Sequence, residues 1–139
     1  MYKVTREIHF CYGHRLLNYE GKCRNLHGHN GKVEIELFSE ALDSLGMVRD
    51  FGDIKNIVKS WINEQLDHKM ILCRRDPIIP SLDAFKQPYY LIDENPTAEV
   101  ICKLIYDYAI SQQLPVSEVH LWETPNSCAS YGLGSSRRI

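Results

Sequence analysis

Apolar and charged residues alternate without a break between Lys32 and Leu37, with Val33, Ile35 and Leu37 set against Lys32, Glu34 and Glu36. A period of two is the signature of a strand buried on one face; on a helix those three aliphatic side chains would scatter around the axis. The same test applied to the opening segment puts Tyr2, Val4, Ile8, Phe10, Tyr12 and His14 on one parity, interrupted by Arg6. Lys3, Thr5, Glu7 and His9 fall on the other. Two strands are therefore expected, over 2–10 and 31–39, each with one face turned to a core.

Parity also assigns the histidines. His27 and His29 are two residues apart and share the parity of Val33, Ile35 and Leu37, and His14 lies at the inner end of the first strand. Imidazoles on an apolar face must be neutral and hydrogen-bonded, or must bind something, because charging them there is costly. Either a packed core or a metal ion meets that condition. Three imidazoles without a fourth protein ligand describe a zinc site with an open position, the arrangement of catalytic zinc. Cys23, four residues before His27, is either a fourth ligand closing the site or a small buried hydrophobe.

The rest of the chain supplies the frame. A turn at 43–46 leads to a short strand at 47–50, expected to form a hairpin with the strand over 31–39. From Asp53, taken as a cap, the period changes. Ile54, Ile57, Val58, Trp61, Ile62 and Leu66 recur at three and four, an amphipathic helix that runs out at Asp67-His68. A histidine at a helix C-terminus is favoured by the macrodipole whatever else it does. Residues 69–94, with Pro77, Pro80 and Pro88, read as a long loop serving as a lid or a subunit contact. A second amphipathic helix is expected from Asn95 as cap and Pro96 at its first position, with Val100, Ile101, Leu104, Ile105 and Tyr108 turned inward. In the strand over 116–124, Val119, Leu121 and Glu123 share a face. A carboxylate there needs donors, from an Arg or Lys partner or from a ligand with a two-point donor edge. A last strand is expected at 127–131 and a frayed tail at 132–139. The pattern is that of one α+β domain spanning 1–139, an antiparallel sheet with two helices on one face. So few strands cannot close a barrel alone, which leaves edges to cover.

Composition narrows the partners. The 139 residues carry a formal net charge of -2, which gives no general attraction to nucleic acid or an anionic membrane. No stretch has signal-peptide character or bilayer-spanning length, so a soluble, cytoplasmic protein is expected. The five cysteines are odd in number and contain no C-x-x-C pair, which argues against a disulfide framework.

Several motifs, in order, carry a resemblance: Phe10-Cys11-Tyr12-Gly13-His14-Arg15-Leu16, Cys23-x-x-x-His27-Gly28-His29, Leu66-Asp67-His68, Pro96-Thr97-Ala98-Glu99 and Glu123-Thr124. Together they cover nearly the whole chain and resemble the 6-pyruvoyl-tetrahydropterin synthase family, most of all its bacterial branch that makes 6-carboxy-5,6,7,8-tetrahydropterin for queuosine. The resemblance implies the tunnelling fold (T-fold), in which subunits join their sheets into a barrel with active sites between them, here as a homohexamer of two trimers. It implies Zn2+ held by His14, His27 and His29, Cys23 as the thiolate base, and His68 as a proton shuttle oriented by Asp67. Glu123 would anchor the pterin, with help from the backbone near Thr97. The implied substrate is 7,8-dihydroneopterin triphosphate and the implied products are 6-carboxy-5,6,7,8-tetrahydropterin, acetaldehyde and triphosphate. Two alternatives stand beside it: a pyruvoyl-forming synthase that only eliminates triphosphate, and a non-catalytic zinc module in which Cys23 completes the tetrahedron. The sequence departs from the family pattern at Tyr12-Gly13, where two small residues are usual, and in the length of 69–94.

Overall fold

The computed structural model describes residues 1–134. Strand β1 (Tyr2–His14) pairs antiparallel with β2 (His27–Ser39) along its whole length, from Tyr2 opposite Ser39 to His14 opposite His27. Both run beyond the expected bounds, because the ladder continues through Cys11-Tyr12-Gly13-His14 and His27-Gly28-His29-Asn30, stretches that no run of aliphatic residues marks. Helix α1 covers 51–65 and contains one wider turn, Lys55–Lys59. After it come β3 (Lys69–Cys73), a short helix α2 (Ile79–Ala84), β4 (Tyr89–Ile92), α3 (Ala98–Ser111), β5 (Val116–Thr124) and β6 (Ser127–Gly132).

The six strands form one sheet in the order β4-β3-β1-β2-β5-β6. Its β1, β2, β5 and β6 portion is antiparallel as expected, and β3 and β4 add to it in parallel, so the sheet is mixed. The buried parity of the strands (Ile8, Phe10, Val33, Ile35, Leu37, Val119, Leu121) packs in one cluster with Ile54, Val58, Ile62 and Leu66 of the first helical segment and Ile101, Ile105 and Ala109 of α3. Both long helices thus cover one face. The other face is polar: Lys3 pairs with Glu36 at 3.1 Å, and the Trp122 indole N–H donates to Glu34 at 2.6 Å.

Four local expectations are corrected. No strand forms at 47–50, since β2 already has β1 on one edge and β5 on the other. Instead Asp43 accepts from the N–H groups of Leu45 and Met47, at 2.8 and 3.0 Å, and holds a loop. The first helix is capped by Asp50, which accepts from the Gly52 N–H at 2.7 Å, while Asp53 pairs with Arg49. Residues 69–94 are two strands and a helix, not a loop. Thr97 caps α3 by accepting from the Val100 N–H at 3.2 Å, and Asn95 is used elsewhere. The expected fraying concerned 132–139; β6 includes Gly132, and residues beyond 134 lie outside the described ones.

Candidate active site

The β1–β2 register sets His14 directly opposite His27 and His29 opposite Tyr12, with all four on the buried parity. The ring centroids of the three histidines lie 4.5 to 5.0 Å apart. One ligand nitrogen from each falls within 4.8 Å of the others. This close approach needs small residues between the histidines. Gly28 faces Gly13, and a Cβ on Gly28 would stand 3.1 Å from the Tyr12 carbonyl oxygen.

Backbone carbonyls fix two of the tautomers. His14 Nδ1 lies 2.6 Å from the Pro96 carbonyl and His27 Nδ1 lies 2.8 Å from that of Asn25; a carbonyl only accepts, so the proton sits on Nδ1 and Nε2 is left with its lone pair. Burial lowers the His14 pKa from its ordinary value, which keeps the ring neutral. His14 Nε2 and His29 Nε2 are 3.1 Å apart. Ligand nitrogens of a tetrahedral zinc are about 3.4 Å apart, given bonds of about 2.0–2.1 Å. Three imidazoles at this spacing, two of them oriented by backbone carbonyls, fit such an ion. Cys23 is not a member of the group, which contains His14, His27 and His29 among the described residues.

Glu123 enters from β5. Val119 and Leu121 are fully buried and Glu123 continues their face, reaching within 3.7 Å of His14 Nε2 and 4.0 Å of His29 Nε2. The Tyr12 hydroxyl donates to its Oε1 at 3.4 Å. Burial, reinforced by that carboxylate, raises the Tyr12 pKa, so the phenol keeps its proton.

A second cluster lies where the first long helix ends. The Cys11 N–H donates to Asp67 Oδ1 at 2.9 Å, and the other carboxylate oxygen meets His68 Nδ1 at 2.7 Å. The His68 N–H donates to the Cys11 carbonyl at 2.7 Å and holds the residue at φ 60, a left-handed conformation costly for a side chain with a Cβ. The ring is open to solvent. His68, His27 and His29 line one cavity of about 620 Å³, together with Cys11, Asn30 and Gln87. That volume is in the range of small-molecule sites.

Cys23 lies apart from this wall, on the tight turn Lys22–Arg24, half-buried; its carbonyl accepts from the Leu16 N–H at 2.8 Å. Thr97 is engaged as the cap of α3. The structure thus joins the three histidines with Glu123, and places His68 on the cavity that two of them line. Three contributors were missed by sequence reasoning. Tyr12 shares the parity of His14 and was legible in principle. Cys11 acts through its backbone and Asn95 through a contact 78 residues away, and neither leaves a local signal.

The mixed sheet with two helices on one face and a histidine trio at one end defines a T-fold domain built around a candidate metal centre. Solved structures share the fold: an uncharacterised protein from Wolinella succinogenes superimposes with a TM-score of 0.77 at 29% identity, over 94% of this chain and 97% of its own. The 6-pyruvoyl tetrahydropterin synthase of Caenorhabditis elegans gives 0.71 at 22% identity, over 96% of each chain. Residues 3–133 match the family model described as 6-pyruvoyl tetrahydropterin synthase. Relatives named 6-carboxy-5,6,7,8-tetrahydropterin synthase include one from Rickettsia felis, 39% identical over 91% of this chain and 96% of its own. Another, from Haemophilus influenzae, is 34% identical over 94% and 99%. The chain belongs to the 6-pyruvoyl tetrahydropterin synthase family, and it is an enzyme of the lyase class. No helix among the described residues is long and apolar enough to cross a membrane.

Proposed function

We propose that this enzyme converts 7,8-dihydroneopterin triphosphate and water to 6-carboxy-5,6,7,8-tetrahydropterin, releasing acetaldehyde and triphosphate, as a cytoplasmic step toward queuosine. The observation that carries the reading is the juxtaposition of the histidine trio with Glu123, a ligand set and a carboxylate converging on one point from three strands. The names of the relatives support the carboxy-forming branch.

His14, His27 and His29 would hold Zn2+. Bound there, zinc supplies a Lewis acid for substrate hydroxyl oxygens. Glu123 accepts from the N3–H and 2-amino group of the pterin, a two-point donor edge that matches a carboxylate. The backbone near Thr97 helps to hold the ring. Cys23, as thiolate, removes the carbon-bound proton beside the ring. Asp67 orients His68 through Nδ1, so that Nε2 exchanges the proton. Because Cys23 does not line the cavity that holds His68, the reading places the working site between subunits of a homohexamer, a dimer of trimers joined at the free edges of β4 and β6.

The test is incubation of the metal-loaded enzyme with 7,8-dihydroneopterin triphosphate and an assay for acetaldehyde. A pyruvoyl product without acetaldehyde overturns the branch. A Cys23→Ala variant should fold, keep its metal and lose turnover; a variant that loses metal and unfolds would indicate a closed structural site instead.

A further inference from the structure

Glu123 sits on a side chain with three rotatable bonds, and in the structure its side chain is 23% exposed. A carboxylate placed to recognise two donors must be held in one orientation, or its ordering entropy is lost on every binding event. Its distances to His14 and His29, 3.7 and 4.0 Å, are too long for hydrogen bonds. Among the described residues, the Tyr12 hydroxyl donates to this carboxylate at 3.4 Å.

Tyr12 is itself immobile. It is 3% exposed, stacked on Phe10 at 5.1 Å, and walled by the rings of His14 and His29 at 5.3 and 5.6 Å. Across the ladder Gly31 leaves it room: a Cβ there would stand 3.1 Å from Tyr12 Cε1. The ring is thus locked between one strand's aromatic residues and the other strand's bare backbone, with its single polar atom aimed at Glu123.

We propose that Tyr12 is a positioning residue, a rigid donor that holds the Glu123 carboxylate toward the ligand side of the histidine trio and so sets affinity for the pterin ring. This rests on the reading of Glu123 as the pterin anchor. Tyr12 also lines the cavity of about 620 Å³, but its one polar side-chain atom is engaged by Glu123, so its effect on binding is expected to pass through that carboxylate.

The experiment compares wild type, Tyr12→Phe, Glu123→Gln and the double variant, all zinc-loaded. It uses neopterin fluorescence for binding, turnover of 7,8-dihydroneopterin triphosphate for KM and kcat, and elemental analysis for zinc. Tyr12→Phe keeps the ring and its packing. It should raise the neopterin Kd and KM about five- to tenfold, the range for one long hydrogen bond to an ionised acceptor. It should leave kcat within about twofold and zinc content unchanged, and in the Glu123→Gln background it should add nothing further. Unchanged Kd and KM overturn the proposal, as does loss of zinc or an additive loss in the double variant. If wild type binds neopterin and Tyr12→Phe matches it, Tyr12 alone is refuted; if wild type binds none, the pterin reading falls with it.

Discussion

Replacing Asn95 by alanine asks whether the segment after β1 is held in place from the far side of the chain. The Leu17 N–H donates to Asn95 Oδ1 at 2.9 Å, and Asn95 Nδ2 donates to the Leu17 carbonyl at 2.9 Å, so one amide satisfies both backbone groups of one residue. The carbonyl of the next residue, Pro96, accepts from His14 Nδ1. Alanine removes both bonds and leaves two partly buried backbone groups without their partner, a cost of about 2–3 kcal/mol. For 139 residues the unfolding entropy is about 0.3 kcal/mol/K, which converts that cost into a fall in Tm of about 7–10 °C. Asn95→Asp keeps the acceptor but sets a carboxylate oxygen against the Leu17 carbonyl, so it should lose at least half as much. Because Pro96 orients His14, zinc affinity should also drop about tenfold, the usual scale for a lost orienting partner. Thermal unfolding by circular dichroism and zinc competition with a chromogenic chelator read the two effects. An Asn95→Ala protein that melts within about 2 °C of wild type and binds zinc as tightly would refute the reasoning, since a clamp worth about 1 kcal/mol per bond cannot vanish silently.

Gly28→Ala places a methyl 3.1 Å from a backbone oxygen that cannot swing aside, so β1 and β2 must separate between the histidines. Elemental analysis should show zinc well below that of wild type in a protein that still folds. Ile105→Ala, at a fully buried core position, should cost about 2–5 kcal/mol in urea unfolding with zinc content unchanged. In acid, the metal-free protein should weaken in two stages. Burial lowers His14, so below its ordinary 6.5 the unfolded chain takes up a proton that the folded chain refuses, and stability present above pH 6.5 declines as pH falls toward the folded value. The Arg15 guanidinium holds Asp76 below its ordinary 3.8, so its contribution persists above pH 3.8 and is lost as pH falls further. Asp76→Asn should shrink the second stage, to which Glu36, held low by Ser117 and Lys3, still contributes, and leave the first, as measured by Tm against pH.

What the sequence made legible was everything governed by a period. Alternation placed β1, β2 and β5, put Glu123 on the face of Val119 and Leu121, and gathered His14, His27 and His29 on one side. The inner stripe of α1 followed from spacings of three and four; in α3 the expectation held for Ile101 and Ile105, while Cys102, Tyr106 and Ala109 are buried in place of Val100, Leu104 and Tyr108. The parallel strands escaped the same test. Ile71, Leu72 and Cys73 are all buried in succession, so β3 shows no alternation and falls within the long loop expected over 69–94. Capping failed for a different reason. Asp50 and Asp53 are equivalent candidates in sequence, and the competitor that removes Asp53 is Arg49, which pairs with it at 2.8 Å. Asn95 lost the cap to Thr97 because its amide serves Leu17, a partner no local window includes.

The two halves of the site share one strand, and this has a consequence for how they can vary. The even-numbered residues of β1, Tyr12 and His14, face the core and serve Glu123 and the histidine trio. The dyad is held by Cys11 through its backbone, N–H to Asp67 and carbonyl to His68, and the Cys11 thiol on the opposite parity donates to Asn30 at 3.0 Å. A one-residue slip of β1 would therefore remove His14 from His27, Tyr12 from Glu123 and the Cys11 groups from Asp67 together. Thirteen consecutive antiparallel pairs with β2 oppose such a slip, as does the parallel contact of Tyr12–His14 with β3. The strained φ of His68 is tolerable because that same ladder fixes the backbone to which it bonds. Rigidity of β1 is thus a condition for the trio and the dyad to hold their relative positions, and substitutions that loosen its pairing should impair both before the hydrophobic core is affected.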